Sequence, residues 1–255
     1  MVTAWLYCIF SNEAALLPFF LRHYAPQMDR IVLFDNASTD NSQDVIGAYH
    51  SPYASIETFH YPAPRAVLDS AQAALFYEEH YKRARGLADF VLVVDLDEFI
   101  WSGAISLRET LRGYKQQNIR AVKAQGYQML SDVFPTDDRP ITDQIRYGIR
   151  DTEYDKVCIF DPALDLSWRP GRHVCNVKDG TAYQTDVKLL HYRYLGLEYF
   201  QKRNAYNFKN RSEAEMQAGR SYHVASNHQG KYSAAWFQRV QAYASDVVSY
   251  NLVET

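Results

Sequence analysis

Short apolar runs alternate with amphipathic stretches through the first hundred residues. Residues 4–10, 30–34, 55–59 and 90–94 are apolar runs with β-branched and aromatic members, the pattern of buried strands. Between them lie helical periods. Residues 13–24 put Leu16, Leu17, Phe20 and Leu21 on one face, behind Ser11 or Asn12 as cap. Residues 43–49 predict a short helix, and residues 69–86 a longer one that Gly86 terminates. The resulting β-α-β-α-β-α-β rhythm predicts an α/β fold with a mostly parallel, doubly wound sheet and helices on both faces. A helix over 106–117 and a strand over 119–124 follow.

Beyond that point the pattern is less regular. Residues 126–150 hold Pro135, Pro140 and a Thr136-Asp137-Asp138 turn, and read as a long functional loop with one short helix, suited to a lid that orders on ligand binding. Short strands are expected over 157–160, 173–177 and 187–191. A long helix is expected over 197–217, broken at Gly219. A final amphipathic helix is expected over 234–250, with Trp236, Phe237, Val240 and Val247 as its apolar members. With no repeat, low-complexity tract or linker, a single domain over 1–255 is expected, ending in C-terminal helices.

Composition narrows the function classes. A net charge of −3 argues against a general nucleic-acid binder. Three cysteines, Cys8, Cys158 and Cys175, form no CxxC pair and fit free thiols in a reducing compartment. No signal-peptide pattern opens the chain, and no apolar run approaches the ~20 residues of a membrane span. A cytoplasmic protein is therefore expected, with peripheral membrane contact and oligomeric state left open.

The chemistry concentrates where apolar runs end. Phe90-Val91-Leu92-Val93-Val94 leads directly into Asp95-Leu96-Asp97-Glu98. In a parallel sheet this is the edge where ligands bind. If the segment is extended, Asp95 and Asp97 point the same way and repel unless a proton or a hard cation lies between them. The alternative is a solvated turn after a core strand. Asp35 to Asp40, after the second strand, offers carboxylates to a nucleoside, or simply caps the next helix. Leu189-Leu190-His191-Tyr192-Arg193 ends a strand in a potential metal ligand and a cation. Lys156 is a further candidate phosphate contact.

Asn12-Glu13, Phe34-Asp35-Asn36-Ala37-Ser38-Thr39-Asp40 and Asp95-Leu96-Asp97-Glu98-Phe99 together resemble the family-2-type glycosyltransferases. Gln72 and the Leu-Leu-His-Tyr-Arg segment resemble one branch of them, formerly labelled a domain of unknown function. The resemblance covers roughly residues 4–210. It implies a GT-A fold whose first ~125 residues form a nucleotide-binding part and whose residues from about 126 to 255 form an acceptor part with the C-terminal helices. It also implies a nucleotide-diphosphate sugar donor (a UDP-sugar), a hydroxyl acceptor on a glycan, inversion, and Mn²⁺ or Mg²⁺. By position it implies Asn12, Glu13, Asp35 and Asn36 at the nucleotide, Asp95 on ribose or metal, Asp97 and His191 on metal, and Lys156 and Arg193 on phosphate. His173 matches a second family histidine. The family's Glu-Asp or Asp-Asp pair for acceptor deprotonation is not evident, since Asp137-Asp138 is paired but reads as an exposed, Pro-flanked turn. Asp132, Asp151 and Glu153 are the candidates for that base in the right part of the chain.

Two rival classes remain. A haloacid-dehalogenase-type phosphatase also places Asp-x-Asp after an apolar strand, which would make Asp95 the nucleophile and Asp97 the acid/base. Phe99 and the late position of the motif fit it poorly. A non-catalytic sugar-nucleotide-binding protein would have no reason to retain the carboxylates.

Overall fold

The computed structural model describes residues 1–63, 65–178, 180–220 and 234–248. The N-terminal half follows the sequence pattern closely. β1 (Ala4–Phe10), β2 (Arg30–Asp35), β3 (Ser55–His60) and β4 (Phe90–Val93) are joined by α1 (Leu17–Tyr24), α2 (Ser42–Ala48) and α3 (Ser70–His80). β1 pairs in parallel with both β2 and β4, and β2 with β3. Strand alternation sorts the side chains onto two faces. Leu6, Cys8 and Phe10 of β1 pack with Leu17, Phe20 and Leu21 of α1, whereas Tyr7 packs with Ala74 and Tyr77 of α3. Helices therefore cover both faces of this parallel half, the arrangement that lets its strands be apolar throughout.

The rest of the sheet is mixed. β5 (Glu98–Trp101) and α4 (Leu107–Gln116) are followed by β6 (Ala121–Ser131), α5 (Ile141–Gln144), β7 (Tyr147–Arg150) and β8 (Lys156–Phe160). β9 (Asp165–Trp168) and β10 (Cys175–Lys178) form a separate two-stranded ribbon, and β11 (Tyr183–Leu195) precedes α6 (Leu197–Lys209), α7 (Glu213–Gln217), α8 (Ala234–Val240) and β12 (Ser245–Asp246). Among the described residues the main sheet has ten strands, in the order β12-β7-β6-β8-β4-β1-β2-β3, with β11 pairing β6 in parallel and β5 in antiparallel fashion.

Several expected elements differ. α1 begins at Leu17 instead of residue 13, because Pro18, which lacks an N–H, occupies its first turn. The loop expected over 126–150 is largely sheet: β6 continues to Ser131 and β7 returns beside it, leaving residues 132–140 as the loop before α5. Gly126 hides this continuation, since glycine mid-run reads as a break. Here it admits the backbone of Tyr154, which a Cβ would meet at 2.5 Å. The helix expected over 197–217 is two, α6 and α7, with Ser212 capping the second. The final helix ends at Val240, and Val247 follows β12, buried against the main core. Tyr250 and the side chains of Trp236 and Phe237 lie outside the described residues. Among the described residues no helix is long and apolar enough to cross a membrane.

Candidate functional site

A cavity of about 240 Å³ opens at the carboxyl ends of β1, β2 and β4. Residues just beyond those ends line it: Ser11 and Glu13, Asn36, and Asp95 to Asp97. The far wall comes from the β3–α3 loop, from His191 and Arg193 of β11, and from Arg203 and Tyr206 of α6. Asn36 holds the loop in place, its amide donating to Val67 O at 2.7 Å and accepting from Val67 N at 3.2 Å, as a strand neighbour would.

Asp95 and Asp97 are not in an extended segment. β4 stops at Val93, and Glu98 N donates to Asp95 O at 3.0 Å, closing a turn. The two carboxylates therefore take different partners, which corrects the expectation that both point one way. Asp95 is ion-paired to Arg172 and lies 3.5 Å from Lys156 Nζ. Asp97 faces His191 Nε2 at 3.1 Å, and its carbonyl accepts from Tyr192 N at 2.7 Å, which fixes the turn against β11. Burial would raise the Asp97 carboxyl, but the adjacent His191 outweighs that and holds it below the usual carboxylate range.

Glu98, the third carboxylate of the motif, is fully buried beneath the site. It accepts from Lys156, from Tyr154 Oη at 2.8 Å and from Asp95 N at 2.9 Å. Burial raises its carboxyl, yet Lys156 and Arg172 together bring it down to about 2. Lys156 is thus committed to carboxylates under the site and is not among the cavity-lining residues. Arg172 reaches Asp95 from a left-handed backbone (φ +61°), unusual for a side chain of that size, and also donates to Val93 O at 3.1 Å.

The other expected residues divide clearly. Glu13, Asn36 and Arg193 line the cavity with Asp95, Asp97 and His191. Asn12 and Asp35 do not. Asn12, also left-handed (φ +51°), accepts from Thr39 N and Asp40 N and so staples the β2–α2 loop. Asp35 accepts from Ser38 N and Gln43 Nε2. The local role weighed for this run accounts for both side chains. None of the three base candidates lines the cavity: Asp132 accepts from Gln241, Asp151 accepts from Gln128 behind His191, and Glu153 is exposed. His173 is not a lining residue either; its ring meets Tyr154 edge-on at 4.9 Å, and burial, with Lys156 nearby, lowers it to about 3.

No family model matches the chain, and no curated protein matches it. The site's chemistry therefore rests on its own residues.

Sequence reasoning passed over Arg172, Arg203 and Tyr154. Arg203 ion-pairs with Glu13 and donates to Ser11 O at 2.8 Å, pinning α6 to the end of β1. Burial raises the Glu13 carboxyl to about 7; Arg203 pulls against this and the charge of Asp97 adds to it. Tyr154 stacks on His191 with ring centroids 4.2 Å apart and planes 14° from parallel. No group of three His, Cys, Asp or Glu side chains able to hold a metal occurs among the described residues. The pair of Asp97 and His191 nevertheless fits a divalent cation that retains positions for water and substrate phosphates, since such ions commonly take only one or two protein ligands. Their 3.1 Å separation matches adjacent ligands on one octahedral ion, about 3.0 Å at the usual bond lengths. Arg193 supplies positive charge beside Asp97. It donates to the Asn204 amide, and its Nε is buried with no partner among the described residues.

Proposed function

We propose that this chain is a metal-dependent glycosyltransferase that moves a sugar from a nucleotide-diphosphate donor, a UDP-sugar, to a hydroxyl group of a glycan acceptor with inversion. The carrying observation is the cavity at the carboxyl edge of the parallel strands, where Asp97 and His191 face each other at 3.1 Å beside Arg193. That edge is where open α/β sheets bind nucleotides. The sequence resemblance to family-2-type enzymes supports the same assignment.

The residues divide the work as follows. Asp97 and His191 would hold Mn²⁺ or Mg²⁺, which would supply positive charge against the departing diphosphate. Arg193, which lines the cavity beside Asp97, brings its guanidinium charge to the donor phosphates. Asp95, clamped by Arg172, presents its remaining acceptor positions to the ribose hydroxyls. Glu13 takes the acceptor proton: it lines the cavity, and a carboxylate with a proton affinity near neutrality suits general-base work. The β3–α3 loop and α6 enclose the donor and exclude water.

The test is turnover of a panel of UDP-sugars, read as UDP release with and without Mn²⁺. Metal-dependent release that Asp97→Ala abolishes supports the reading. Hydrolysis of p-nitrophenyl phosphate with no turnover of any nucleotide sugar would replace it with the phosphatase reading.

A further inference from the structure

Behind the Asp97–His191 pair lies a relay with no place in the steps above. β6 and β11 pair in parallel with Gln128 opposite His191, and β11 pairs with β5 so that His191 lies opposite Glu98. Gln128 is 0% exposed and His191 4%. His191 Nδ1 lies 2.6 Å from Gln128 Oε1, and Gln128 Nε2 lies 3.0 Å from Asp151 Oδ2.

With Asp151 ionised, its carboxylate only accepts, so the amide nitrogen of Gln128 faces Asp151 and its oxygen faces the ring, the arrangement of the two contacts above. An amide oxygen also only accepts, so Nδ1 must carry the hydrogen. In a neutral ring the lone pair then sits on Nε2, which faces Asp97 Oδ2 at 3.1 Å. Two lone pairs at that distance repel. The contact is favourable only with positive charge on it or between its atoms. Tyr154, stacked flat on the ring, hinders any swing of Nε2 away from Asp97.

We propose that Gln128 and Asp151 are positioning residues that lock His191 in the Nδ1–H tautomer, so that Nε2 and the Asp97 carboxylate form a standing acceptor pair for a divalent cation. The inference rests on the metal role given above to Asp97 and His191. It also gives Asp151 a function other than the base chemistry considered from sequence: it orients the amide that orients the ring. Removal of the relay has a specific consequence. A ring freed from Gln128 can adopt the Nε2–H tautomer and donate to Asp97, which satisfies both atoms and closes the cation position.

Two measurements test the relay. The first is long-range ¹H–¹⁵N NMR of His191 in the metal-free wild-type protein, at a pH where the ring is neutral. The expected spectrum shows a protonated Nδ1 and a bare Nε2; an Nε2–H ring overturns the proposal. The second is Mn²⁺ affinity, read from the EPR signal of free Mn²⁺, for wild type and Gln128→Met. Methionine retains roughly the volume of glutamine and removes the acceptor. The expected loss is about 10- to 100-fold, the usual effect of removing a partner behind a metal ligand. A folded Gln128→Met protein with wild-type affinity overturns the proposal, as does a wild type that binds no Mn²⁺. Neither readout requires a sugar donor, so failure of the glycosyltransferase reading would appear separately, as Mn²⁺ binding without nucleotide-sugar turnover.

Discussion

Asp95 and Asp97 are two residues apart and share a cavity, yet one carboxylate is held by Arg172 and the other faces His191. The turn closed by Glu98 N and Asp95 O separates them. Their substitutions should therefore differ. Asp97→Asn removes half of the acceptor pair and should weaken Mn²⁺ binding at least ~10-fold. Asp95→Asn should leave Mn²⁺ binding within about threefold, on the same scale, and lower thermal stability by loosening Arg172. Titration of each variant with Mn²⁺ decides this, and equal losses of affinity would show that both carboxylates serve the ion.

Glu98 and Lys156 form a buried pair beneath the site, 0% and 2% exposed. A buried pair adds little net stability, but removing one partner leaves the other's charge uncompensated. Lys156→Met should destabilise the fold by about 3 kcal/mol, because Arg172, 3.8 Å from Glu98, compensates only in part. The double variant Lys156→Met, Glu98→Gln should recover much of that loss. Urea unfolding of the two variants measures the difference; a double variant no more stable than the single would contradict the assignment.

Gly126 is where β6 passes the backbone of Tyr154. A Cβ there would lie 2.5 Å from the Tyr154 carbonyl group, and main chain cannot yield as a flexible side chain does. Gly126→Ala should cost about 1–3 kcal/mol by overpacking. It should also displace Tyr154 from the His191 ring and so weaken Mn²⁺ binding. Unchanged stability and affinity would mean that the strand and the turn move apart freely.

Glu13 gives the pH dependence a sign. Its carboxyl, raised by burial to about 7, takes up a proton in the folded state where the unfolded chain, near 4.5, does not. The resulting contribution to stability is fully present below pH 4.5 and is lost as pH rises through about 7. Activity runs the other way, since a proton acceptor must be ionised: turnover should rise with pH through about 7. Glu13→Gln should abolish the acid limb and reduce turnover by about 100-fold or more, with UDP affinity retained. Loss of UDP affinity instead would return Glu13 to the nucleotide contact suggested by the sequence resemblance.

The N-terminal half was legible because its signals are local. Apolar runs and cap residues mark β1 to β4 and the starts of α2 and α3 within a few residues, whereas α3 ends at His80, and a 3-10 turn over Tyr81–Ala84 fills the stretch before Gly86. The end of β4 also located the cavity edge, since a strand buried on both faces must stop where carboxylates begin. What escaped depends on register. Gln128 meets His191 only because β6 and β11 align across a gap of 63 residues, and no periodicity in either strand encodes that. Arg172 sits in a turn with no pattern of its own, and only the folded chain brings it to Asp95. Asn12 and Asp35 show the converse. Their residue types suit a ligand and a loop equally, and the folded loop uses them for its own backbone.

The most direct measurement is calorimetric titration of UDP into the protein with and without Mn²⁺. The account predicts binding that requires the metal and disappears in Asp97→Ala. UDP binding of equal strength in the presence and absence of Mn²⁺, or no binding under either condition, would contradict it.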